Sequence, residues 1–172
     1  MTKSAIRYAI SFLLLIPLQA IVFNHMILFN VAVPLVFLYL IISLPVTLGT
    51  NKSTILGFLV GFTLDMFCDT PGVNALCCTI LAFVRKPVFH LYVSMDDDLA
   101  SRSPSSYSMG LGAYLKYMLT MVVLYCLMMF TVEAFQFFNF KLMILRIVCS
   151  AAYTFVLLYA VDCIVSRSHS RQ

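Results

Sequence analysis

An all-α polytopic membrane fold is the class this sequence predicts, and three observations predict it. Of 172 residues, 62% are hydrophobic and only 10% charged, and the mean hydropathy is +1.00. Soluble domains run near 45–50% apolar and about 25% charged, so a soluble chain of this size has no means of hiding so much apolar surface. The apolar residues fall in continuous runs rather than alternating, which excludes a transmembrane β-barrel. The charges, net +4, gather in loops and tails, which points to orientation in a bilayer and not to nucleic acid. At roughly 20 residues per span, the chain has room for about six helices in a single integral membrane domain, 1–172.

The elements follow in order. Lys3 and Arg7 precede an apolar run over 8–23. Its length, and the segment Pro17-Leu18-Gln19-Ala20 without a small residue at the position a signal cleavage site needs, predict a retained first span. The Asn24-His25 break leads into a second run, 26–48, which Pro34 and Pro45 bend or break. Gly49-Thr50-Asn51-Lys52 reads as a polar turn. The third span, 53–67, is short: at 1.5 Å per residue it covers about 22 Å against a hydrocarbon core of ~30 Å. A Thr70-Pro71-Gly72 turn precedes the fourth span, 73–93, and Arg85-Lys86-Pro87 within it reads as a stop at the headgroups. The longest polar stretch, 95–112, holds Asp96, Asp97, Asp98 and Arg102 and is expected to be a cytoplasmic loop. Spans five and six, 113–135 and 142–165, complete the set, and a basic tail follows.

Orientation comes from lysine and arginine. With the N-terminus cytoplasmic, one side carries Lys3, Arg7, Lys52, Arg85, Lys86, Arg102, Lys116, Arg167 and Arg171. The other carries Lys141 and Arg146. Both termini are therefore expected to be cytoplasmic.

Ser53, Gly57, Gly61 and Asp65 recur every fourth residue and share one helix face. Small residues let another backbone approach closely. Such a face either packs the bundle or docks a partner helix, and the docking site is assigned to these residues. Asp65 is the exception to the apolar pattern, since a carboxylate at the bilayer centre costs roughly 2.5–3.5 kcal/mol. By depth, Asp65, Asn74, Glu133 and Arg146 are expected to form an outer-side polar cluster, with Arg146 pairing Glu133, Asp65 or both. Lys116 and Asp162 form the matching cytoplasmic pair. The six cysteines fall largely within apolar runs, where cysteine is a small hydrophobe, and neither disulfide, metal nor cofactor is expected. No HExxH, GxSxG or phosphate-binding glycine loop occurs, so the chain is expected not to be an enzyme.

The hairpin resembles that of the rod shape-determining protein MreD family. The matching residues are Gly57, Gly61, Leu64 and Asp65, then Pro71 and Gly72, then Asn74, Ala75 and Leu76. The family often has histidine where Asn74 stands. The resemblance implies a non-enzymatic scaffold of the cell-elongation machinery in the bacterial inner membrane. It implies an MreC-like single-span partner, together with MreB and the enzymes of wall synthesis. It also implies a fold similar to the substrate-binding subunits of energy-coupling-factor transporters. The alternative function is accordingly a membrane subunit that binds a small, vitamin-type molecule for a transporter.

Overall fold

The computed structural model describes residues 12, 15–19, 33–68, 70, 72–93, 104, 109–134 and 140–169. The expected first span lies largely outside these residues, and its described part, 15–19, is helical. Most of the expected cytoplasmic loop and the turn residue Pro71 also lie outside them. The described helices are α1 (Leu38–Ile42), α2 (Thr50–Cys68), α3 (Val73–Tyr92), α4 (Leu111–Ala134) and α5 (Phe140–His169). All described secondary structure is helical. Three helices are long and apolar enough to cross a membrane: α3, α4 over Leu111–Val132, and α5 over Met143–Ile164. The chain is thus a candidate multi-pass membrane protein.

Packing is serial. Helix α2 folds back on α3, α3 packs on α4, and α4 on α5, while short α1 lies against α3 and α4. The core between them is apolar and aromatic, with Tyr114, Tyr117, Met118, Met121 and Tyr125 of α4 fully buried. Phe89 and Phe37 meet Tyr117 and Tyr125 edge-on, with ring centroids 5.9 and 5.5 Å apart.

One expected boundary is corrected. The polar stretch after Gly49 is not a turn: Ser53 N–H donates to Gly49 C=O at 3.1 Å, and α2 begins at Thr50. Its 19 residues give about 28 Å of helix, so the third element is not short. The fourth helix runs from Val73 through Arg85-Lys86-Pro87 to Tyr92, against an expected span of 73–93. The second run is not one span. Residues 33–37 are not helical, α1 is five residues long, and it ends at Ile42 with Ser43 as its C-cap, before Pro45. Each proline stands beside one end of the broken element, where its missing N–H and fixed φ are tolerated.

Buried non-helical backbone must find internal partners, and here it does. The Gln19 side chain donates to Pro34 C=O at 2.6 Å and accepts from Val36 N–H at 2.9 Å. Ser150 Oγ and Thr154 Oγ1 of α5 accept from Val33 N–H and Leu35 N–H, each at 3.1 Å. Residues 34–42 are all buried.

Candidate functional site

The α2/α3 hairpin is closed by residues that pair in antiparallel order. A methyl group on Gly57 would stand 2.7 Å from Ala82 Cβ and from Cys78 C=O. One on Gly61 would stand 2.6 Å from Ala75 Cα and from the carbonyl carbon of Asn74. Those distances are far inside van der Waals contact, so glycine at both positions is what lets the two backbones approach. The turn is made by Gly72, whose φ of +82° lies in the left-handed region that glycine enters without penalty.

Asp65 closes the turn end of the hairpin. Helix α3 starts without a side-chain cap from Gly72, which leaves its first N–H groups in need of acceptors. Asp65 supplies them from the neighbouring helix. Its Oδ1 accepts from Asn74 N–H at 3.0 Å and its Oδ2 from Ala75 N–H at 2.8 Å. Thr70 Oγ1–H adds a third bond to Oδ1 at 2.9 Å. A carboxylate at a helix N-terminus is also favoured by the helix dipole. Hydrogen bonds to charged groups contribute about 1.5–3 kcal/mol each. Three of them outweigh the roughly 2.5–3.5 kcal/mol that a carboxylate costs at membrane depth. The network extends to α4: Asn74 Nδ2 donates to Thr70 Oγ1 at 2.9 Å, and Tyr125 O–H donates to Asn74 Oδ1 at 2.5 Å.

Arg85 organises the opposite end. It is 1% exposed. Its Nη1 donates to Leu44 C=O, and its Nη2 donates to Pro45 C=O and Ser53 Oγ, both at 3.1 Å. The guanidinium therefore ties the chain after α1 to the first turns of α2. Its cation sits where α1 ends, beside carbonyls that have no helical partner to receive them.

The sequence-predicted residues divide accordingly. Ser53, Gly57, Gly61 and Asp65 do share a buried face, but the docking assignment is corrected: α3 of the same chain already covers it. Asp65 and Asn74 come together as expected. Arg146 does not join them. It lies on the exposed side of α5, and among the described residues the donors to Asp65 come from its own hairpin and turn. The Glu133 side chain lies outside the described residues. The Lys116–Asp162 pair is corrected as well. Asp162 is 2% exposed and accepts from Tyr114 O–H at 3.0 Å, whereas Lys116 is exposed. Residues two apart on a helix do not face the same way, so an inward Tyr114 turns Lys116 outward.

Sequence reasoning missed Arg85, Gln19, Ser150, Thr154 and Tyr125. For Arg85 a signal existed: Cys78, Leu81, Ala82 and Arg85 lie on one helical face, so only its neighbour Lys86 is phased outward. Among the described residues no group of three or more His, Cys, Asp or Glu could hold a metal ion. The arrangement closes a hairpin and anchors a broken helix, with its acceptors already engaged by donors from the same chain. No family model, no curated protein and no solved structure matches this chain.

Proposed function

We propose that this protein is a non-enzymatic membrane scaffold of the bacterial cell-elongation machinery, of the MreD type. In this reading it sits in the inner membrane, crosses it about six times and keeps both termini in the cytoplasm. It acts by helix contact with an MreC-like single-span protein, and through it with MreB and wall-synthesis enzymes.

The observation that carries the reading is the use the chain makes of the residues behind the resemblance. Gly57, Gly61, Asp65, Gly72, Asn74 and Ala75 are the ones that close the hairpin. Polar groups are spent inward, and α2 turns Ile55, Phe58, Leu59, Phe62 and Met66 outward. A rigid hairpin with an apolar outer face suits contact with another helix. The small-molecule alternative needs polar side chains open to a ligand, and Asp65, Asn74 and Tyr125 are engaged with one another instead.

The test is affinity purification of the tagged chain from its native membrane in mild detergent, with depletion of the protein in parallel. An MreC-like protein and wall synthases should co-purify, and depleted cells should lose their rod shape. Recovery of transporter ATPase subunits or a bound vitamin, with shape unchanged on depletion, would overturn the reading.

A further inference from the structure

We propose that the discontinuous segment 33–48 is a coupling strap, a hydrogen-bonded tie that makes α5 and the α2/α3 hairpin respond to each other. The packing order gives it that position. The hairpin reaches α4 through α3, and α5 also packs on α4, but among the described helices the hairpin and α5 share no extended interface. The strap joins them directly. Its N-terminal end is held by Ser150 and Thr154 of α5. Its C-terminal end is held by Arg85 of α3, which also binds Ser53 of α2.

The geometry of the α5 end is matched. Hydroxyls four residues apart on a helix are about 6 Å apart along its axis. Alternate N–H groups of an extended chain are separated by roughly 6.6 Å and point the same way. Ser150 and Thr154 therefore suit Val33 and Leu35 as a pair. Pro34 C=O and Val36 N–H beside them are both taken by the single Gln19 amide. Discontinuous membrane helices often leave such groups to coordinate a substrate or ion. Here side chains of this protein consume them, which favours a mechanical part over a ligand site. Between its two ends the strap carries α1, packed on α3 and α4, so it has little freedom to absorb a displacement of either anchor.

The experiment is amide hydrogen exchange of the full chain in lipid nanodiscs, read by mass spectrometry. Thr154→Val removes an acceptor at one end with little change in shape. Exchange should then rise roughly tenfold or more at 33–37, as loss of a buried hydrogen bond implies, and also at 43–49, with 118–130 in α4 unchanged. Ser53→Ala, which loosens Arg85 without removing it, should raise exchange at 33–37 as well as near residue 44. Lys86→Met, beside Arg85 but not bonded to the strap, should do neither. A response confined to the mutated end, no response at either end, or a rise that includes α4 would each overturn the coupling.

Discussion

At the residue scale, Asp65 sets the largest expectations. Asp65→Ala would leave Asn74 N–H and Ala75 N–H buried without their acceptor. Each such group costs about 1–3 kcal/mol, so the loss should be about 2–6 kcal/mol by thermal unfolding in detergent. Asp65→Asn keeps one acceptor oxygen and should lose about half as much. Tyr125→Phe removes one buried bond and leaves Asn74 Oδ1 without that donor, so it should cost about 1–3 kcal/mol. An Asp65→Ala protein as stable as the parent would mean that the carboxylate is not what caps α3. Asp65 could be marked in the sequence because a carboxylate in an apolar run demands compensation. Its partners could not, because two of them are backbone N–H groups and carry no residue identity.

At the element scale, the hairpin behaves as one unit whose register is written in its small residues. Gly57→Ala and Gly61→Ala would push side-chain carbon into the backbone or Cβ of α3. Overpacking of this kind typically costs 1–3 kcal/mol, or about that range here. Gly61 should be the more severe, because its three nearest neighbours are all backbone atoms and stand closer than those facing Gly57. Gly112 in α4 has nothing within 4 Å, and Gly112→Ala should be neutral or stabilising by at most about 1 kcal/mol. Comparison of the three melting temperatures tests the contrast. The glycine stripe and the long apolar α4 and α5 were legible from spacing and composition alone, but not that α3 is the helix facing the stripe. The break around Pro34 and Pro45 was legible as an interruption, but not its form. Whether a proline kinks or ends a helix depends on what side chains wait nearby, and Ser150 and Thr154 lie more than a hundred positions away. Arg85 was misread for a related reason: next to Lys86 it looks like a headgroup anchor, and only three-dimensional packing separates the two.

At the scale of the whole molecule, α4 lies between two exposed cations. Lys116 lies near the start of α4 and Lys141 near the start of α5, both exposed. If α4 crosses the bilayer, cysteines at these positions should react with an impermeant thiol reagent from opposite faces of sealed vesicles, above the labelling of the unsubstituted protein. Labelling of both from one face would exclude the proposed orientation. The strap has a further consequence, for the order in which the molecule can be completed. Arg85 emerges from the ribosome after Leu44, Pro45 and Ser53 have been made, so its acceptors are already waiting. Val33 and Leu35 are not so placed, since their acceptors lie 117 and 119 residues downstream. At about 5–20 residues per second, those amides pass on the order of ten seconds of synthesis before Ser150 and Thr154 exist. During that interval water or another partner must satisfy them, and only arrival of α5 lets the early segment settle into its final packing.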